Sequence, residues 1–192
     1  DLTGEPQWIR KMQLRHEADA IKSGARIVHC CGFDSIPSDL GVHFLQRNAL
    51  EQFGHSCERI DMRVVSMKGG ASGGTIASMI NMVKEAVSDA DLRRELKDPY
   101  SLCPPQHKFS IAQADVKIEY DEVAGGWIAP FIMAGINARV VHRSNALSNN
   151  SYGFAFKYEE AVLTGQGASG KRKAQAAHWG VNALMIGLAV PP

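Results

Sequence analysis

Aromatic residues make up only 7% of this 192-residue chain, and neither sign of charge dominates, since 21 Lys and Arg stand against 20 Asp and Glu for a net charge of +1. That balance offers no electrostatic footprint for a nucleic-acid backbone. No apolar run approaches the roughly 20 residues that a membrane span requires, and no secretory leader is visible. Cysteine is sparse: Cys30, Cys31, Cys57 and Cys103 include one adjacent pair and no C-x-x-C. That spacing suits neither a disulfide-stapled domain nor a zinc site, and reduced thiols in the cytoplasm are expected. The seven histidines are scattered, without H-E-x-x-H or a His/Cys cluster, so no metal site is expected. A G-x-S-x-G elbow is also missing. What the chain does have is 45% hydrophobic content, enough for one large or two small domains around a real core.

The first 50 residues read helix, strand, loop, helix, the order found in a doubly wound sheet. Thr3 is placed to cap a helix that has Pro6 in its first turn, Trp8, Met12, His16 and Ala20 at four-residue spacing, and Gly24 as its stop. Ile27 to Cys31 is short and nearly continuously apolar, the pattern of a strand buried on both faces. The turn Gly32 to Pro37 leads to Ser38 as a cap and to a helix from Asp39 to about Leu50 that aligns Leu40 and Phe44. Beyond Gly54 the pattern changes. Alternation predicts strands with one wet face around Ile60–Val64 and Val116–Tyr120, and a further strand carrying Tyr152, Phe154, Phe156 and Tyr158 on one side. Amphipathic helices are expected over Ile76–Val87, from about Pro130 to Leu147, and over Lys171–Leu188. The expected fold class is thus α/β and α+β: residues 1–56 close a nucleotide-type domain, and residues 57–192 form an antiparallel sheet with helices on one face. The stretch from Asp98 to Gln106 reads as a loop.

Ligands of an open parallel sheet gather at the carboxyl ends of its strands, so the loop Gly32 to Asp39 is the leading candidate site. Asp34 and Asp39 are the candidate catalytic acids, with Gly32 and Ser35 beside them; turn formation and helix capping are the bland roles for the same residues. A second loop, Lys68 to Thr75, follows a strand and opens a helix, so the amides of Ser72, Gly73, Gly74 and Thr75 are candidates to bind substrate. It lacks the Lys-Ser/Thr ending of a phosphate-binding P-loop. Gly165-Gln166-Gly167-Ala168-Ser169-Gly170 matches G-x-G-x-x-G, but its strand is two-faced and no acidic residue follows at ribose distance, so a surface loop is expected. Arg139, His142 and Arg143 share a helix face, and Lys171-Arg172-Lys173 opens another helix; both groups read as solvated charge.

Three stretches, DLTGE at the start, RIVHCCGFDSIPSDLG over 26–41 and MKGGASGGT over 67–75, together with PFIMAGINARVVHRSNAL and YGFAFKYEE, resemble the saccharopine dehydrogenase-like oxidoreductases. The bacterial branch, which includes trans-acting enoyl reductases, is the nearer one. The resemblance implies a Rossmann domain whose glycine fingerprint precedes Asp1, and this chain as an internal segment lacking that half. It also implies NAD or NADP as cofactor, hydride transfer to an enoyl, carbonyl or imine carbon, a small-molecule or lipid-like substrate, and a homodimer formed through the α+β part. Thr3 and Glu5 would flank the cofactor along with Gly32 and Ser35. A non-catalytic binding or dimerisation module on the same scaffold is the alternative.

Overall fold

A computed structural model describes residues 1–67 and 73–189 of the chain. Helix α1 (Pro6–Ser23) starts with proline in its first turn, where the missing N–H goes unneeded, and stops at Gly24 in the left-handed region at φ 73°. Glu5, rather than Thr3, occupies the N-cap, and the Thr3 hydroxyl accepts the Glu5 amide at 3.4 Å. Helix α2 (Ile36–Phe53) begins three residues earlier than expected, with Ser35 at its N-cap, Pro37 in its first turn and Gly54 as its left-handed stop. Then come β1 (Arg59–Val64), α3 (Gly73–Ser88), α4 (Ala90–Glu95), β2 (Glu119–Asp121), β3 (Gly126–Pro130), α5 (Ala134–Leu147), β4 (Lys157–Gly165) and α6 (Gly167–Ala189). The mixture of helices with one four-stranded sheet is the α/β to α+β class that the sequence pattern predicts.

The chain forms two compact units. One gathers Asp1–Ile60, Arg94–Gln113 and Gly135–Tyr158; the other gathers Asp61–Arg93, Ala114–Ala134 and Glu159–Pro192. The sheet has the order β1-β4-β3-β2, and its β2–β3 and β3–β4 pairs are antiparallel, as the alternation predicts. In the second unit α6 packs on β3, and α3 packs on α6. Gly170 makes this possible. A methyl group there would sit 2.0 Å from the Gly165 carbonyl oxygen, so only glycine lets the helix backbone come this close to the strand. Arg63 ties the sheet across its strands, donating from Nε to Asp121 and from Nη2 to Glu159, both at 2.7 Å.

Two expected strands have other structures. Ile27 to Cys31 is irregular, with Ile27 and Val28 each 61% exposed. Its polar backbone bonds run to Asp1, whose amino group donates to the Val28 oxygen at 2.6 Å and whose oxygen accepts the Cys31 amide at 2.8 Å. A continuous apolar run becomes a buried strand only where other strands pair along its edges and packed elements cover both its faces. The aromatic stretch 152–156 is a series of turns, and β4 begins only at Lys157. Tyr152, Phe156 and Tyr158 are nonetheless buried, while Phe154 is 53% exposed. Asn145 fixes these turns: its amide donates to the Gly153 oxygen and its carbonyl accepts the Tyr152 amide, each at 2.9 Å.

Candidate functional site

Along α2 the first unit buries serine and glutamine side chains beside small apolar ones and leaves large apolar ones outside. Ser35, Ser38, Val42, Gln46 and Ala49 are buried, whereas Ile36, Leu40 and Phe44, which recur at three- to four-residue spacing, are 38%, 56% and 66% exposed. Leu40 and Phe44 do share a face, as expected, but it is the outward one. The inward face meets α5. Ser35 donates to the Asn137 carbonyl at 2.9 Å, and the Asn137 amide donates to the Ser38 hydroxyl at 3.2 Å, so Ser38 is a core partner rather than the helix cap. Asn137 is fully buried, and this pairing meets the requirement that buried polar atoms find partners.

Asp39 sits beside this network, half-buried, with one carboxylate oxygen buried and unpartnered. Burial pushes its carboxyl above the usual range, against the pull of a hydrogen bond from Ser144 and of the nearby His43 imidazole. His43 lies one helical turn further on, exposed, with its Nδ1 3.4 Å from the Tyr152 hydroxyl. Burial first, and then the Asp39 charge, push that phenol up to about 12. Cys30 closes the cluster from the preceding loop. It is buried, holds φ at 57°, and its thiol is pushed up to about 11, chiefly by burial and in part by Cys31 and Asp39. A non-glycine residue held in the left-handed region persists only where its surroundings over-determine it, and such residues concentrate at functional sites.

The other expected site residues divide by place. Thr3 and Glu5 are half-buried at the start of α1, and a Cβ on Gly4 would lie 4.0 Å from Ile136 of α5. Gly32 lies beside Leu2, so Thr3, Glu5, Gly32, Ser35 and Asp39 belong to one end of this unit. Asp34 is exposed in the turn. Gly73 and Gly74 are exposed at the start of α3, while Ser72 and the Thr75 side chain lie outside the described residues.

Sequence reasoning missed His43, Asn137, Ser144, Tyr152 and Cys30. The Asp39/His43 pair was available as i, i+4 neighbours on one helix; Asn137, Ser144 and Tyr152 join through tertiary packing, which spacing does not encode. Arg139 and His142 also differ from expectation, since they are 6% and 1% exposed rather than solvated. Arg139 donates to the Ser101 hydroxyl and to the carbonyls of Gly135 and Leu96. His142 lies among Tyr100, Phe109 and Phe156, its nearest ring centroid 4.9 Å away, and burial lowers its pKa to about 4. The G-x-G-x-x-G stretch is a packed strand-to-helix joint rather than a surface loop. Thr164 Oγ1 lies 3.0 Å from the Trp127 oxygen and 2.9 Å from the Gly170 oxygen there, and the Lys171 ammonium sits 4.9 Å above the Trp127 ring. Among the described residues no group of three or more His, Cys, Asp or Glu is arranged to hold a metal ion, and no helix is long and apolar enough to cross a membrane.

Several known proteins are similar to this chain. The chain is 43% identical over 176 residues, 86% of its length, to a Mycobacterium tuberculosis protein provisionally named as a trans-acting enoyl reductase. Trans-acting enoyl reductases of Mycobacterium ulcerans and Mycobacterium bovis are 38% and 36% identical over the same share of the chain. Its relatives are named for enoyl reduction. The chain spans 41% to 42% of the length of these curated relatives. No protein-family model matches the chain, and no solved structure matches it.

Proposed function

We propose that this chain is part of an NAD(P)-dependent oxidoreductase of the saccharopine dehydrogenase-like kind, reducing the carbon–carbon double bond of an enoyl group or a related carbonyl or imine. The observation that carries this reading is the 43% identity to a protein named for enoyl reduction, extending over 86% of the chain. Residues 1–56 are read as closing a nucleotide-binding domain, and the rest as a substrate and dimerisation region that works in the cytoplasm as a homodimer.

The cofactor fit divides in two. Thr3, Glu5, Gly32 and Ser35 lie at the same end of one unit as Asp39, whose open buried oxygen suits a neutral hydrogen-bonding group such as a carboxamide or carbonyl. For the pyrophosphate the described residues offer no match: the G-x-G-x-x-G stretch is filled by its own helix packing, with Gly170 against Gly165. A bound NAD(P)H would supply the hydride. The chain's own part is to orient the acceptor and hold a proton for the carbon or oxygen that gains negative charge. Asp39 is the better of the two expected acids, because burial keeps its proton on at higher pH than an exposed carboxyl would. The test is a calorimetric titration with NADPH and NADH. The chain should bind in the millimolar range, and the full-length Mycobacterium tuberculosis relative at least about tenfold more tightly, a difference of roughly 1.4 kcal/mol. Equal affinities would overturn the division of the cofactor site.

The outward face of α2 favours a second reading, a binding module without catalysis. Ile36, Leu40 and Phe44 present a continuous apolar stripe, and such stripes mark association surfaces. Reduced-cofactor oxidation by the full-length relative with an enoyl thioester, absent under every condition tried, would favour the module.

A further inference from the structure

Three side chains from two parts of the first unit lie near one another, and one of them, Asp39, has a buried carboxylate oxygen without a partner. Asp39 and His43 face the same way one turn apart on α2, and Tyr152 reaches them from the turns that follow α5. We propose that Asp39, His43 and Tyr152 form a proton relay in which His43 exchanges protons with solvent, Tyr152 fixes the imidazole, and Asp39 presents its proton to a carbonyl oxygen of the bound substrate. This rests on the reductase reading and assigns its acid together with two positioning residues.

The geometry supports each role separately. His43 is exposed, so its ring is open to water, while Tyr152 is 5% exposed and held by the Asn145 clamp, so its hydroxyl is a fixed point rather than a mobile surface group. The 3.4 Å between that hydroxyl and Nδ1 is at the long end of hydrogen bonding, as is common for relay contacts that tighten when substrate binds. Asp39 has one oxygen engaged with Ser144 and the other buried with no partner. A buried polar atom without a partner carries a desolvation penalty, which a ligand group of matching chemistry relieves. A protonated carboxyl donates, so the matching group is an acceptor such as a thioester or ester carbonyl. In the step itself, the Asp39 O–H bond breaks and an O–H bond forms on the substrate carbonyl oxygen, which would carry the negative charge left by the hydride that a bound nicotinamide would supply. Asp39 is then reprotonated from solvent through His43. No net charge stays on the protein.

The charged and titratable groups around Asp39 are His43 on its own helix, Tyr152 after α5, and Cys30 with the Asp1 amino group behind it from the preceding loop. The Tyr152 and Cys30 groups, at about 12 and about 11, remain neutral through the acid range, so neither supplies a carboxyl step there. The experiment is a 15N NMR titration of the His43 ring from about pH 3.5 to 7.5, in this chain without cofactor. In wild type the ring signals should report a carboxyl step above the usual range near pH 4. Asp39→Asn should remove that step, Tyr152→Phe should alter the Nδ1 signal and its tautomer ratio, and Ser144→Ala should move the step to higher pH by removing the bond that holds it down. Addition of crotonyl-pantetheine, an enoyl thioester probe, should shift the His43 signals in wild type and at least about tenfold more weakly in Asp39→Asn. His43 signals indifferent to all three substitutions would overturn the relay. If Asp39→Asn fails to fold, the Ser144→Ala shift decides the coupling. The reductase reading fails on different data, a full-length relative that turns over no enoyl thioester, so the two can fall separately.

Discussion

The two units of this molecule are held together by opposite means. In the second, backbone ladders set the sheet, a glycine contact seats α6, and the Arg63 triad joins β1, β2 and β4. In the first, side-chain amides do the joining. Asn137 links Ser35 to Ser38, Gln46 holds both backbone groups of Cys57, and Gln113 donates to Tyr100 Oη and the Phe156 carbonyl while accepting from the Tyr158 amide. Backbone ladders and close packing specify a shape with few titratable groups. An interior built from polar side chains specifies its shape as well, and in doing so places Asp39 and His142 where burial changes their proton affinity.

Breaking the backbone contact should have the largest effect. Gly170→Ala forces a methyl group onto the Gly165 carbonyl and should destabilise the protein by about 4 kcal/mol, read from urea unfolding. A loss under about 1 kcal/mol would mean that the helix can move away at little cost, and that the second unit is not ordered by this contact. Next comes the acid limb of the first unit. Folding lowers the His142 pKa from 6.5 to about 4, so the neutral ring is favoured in the native state. The native state then binds fewer protons than the unfolded chain, and stability falls as pH drops from about 6.5 towards about 4. At about 1.4 kcal/mol per pH unit the loss approaches 3 kcal/mol. His142→Phe, which keeps an aromatic ring beside Tyr100, Phe109 and Phe156, should flatten this decline in thermal midpoints measured across pH; an unchanged slope would locate the acid sensitivity elsewhere. The smallest effect has the opposite sign. Folding raises the Asp39 pKa, so its contribution is present at low pH and lost as pH rises through the folded value. Asp39→Asn should therefore stabilise the chain at pH 7 by up to about 1 kcal/mol, a gain typical of residues kept for activity rather than for the fold. Destabilisation at pH 7 would show that the charge serves the structure.

The helices were largely legible in the sequence because proline, glycine and a 3.6-residue period fix them locally. Gly24 stops α1 where expected, α2 runs on past the expected Leu50 to Phe53 before Gly54, and Met79, Ile80 and Val83 lie within α3. Strands depend on partners that a single stretch does not reveal. Ile27 to Cys31 has strand composition and no ladder, whereas Gly126–Pro130, with a glycine and a proline in five residues, is a paired strand with Ala129 fully buried. The alternation of Tyr152, Phe154, Phe156 and Tyr158 arises from turns pinned by Asn145, helped by Asn149 and Asn150 at φ 55° and 59°. At the candidate site, placement before a helix pointed to Asp39 but gave Asp34 equal weight. Only burial separates them, and burial is a property of α5 lying against α2 rather than of the loop itself.

The outward stripe of α2 also bears on how the chain behaves as a solute. With a net charge of +1, copies repel one another weakly at neutral pH, so Ile36, Leu40 and Phe44 meet little electrostatic resistance when two molecules approach. These three side chains add to the other exposed apolar groups of the chain, among them Phe33 and Trp179. Salts such as sulfate, which strengthen apolar burial, lower the concentration at which the chain stays dispersed, while a pH far from the pI of about 7.9 raises it.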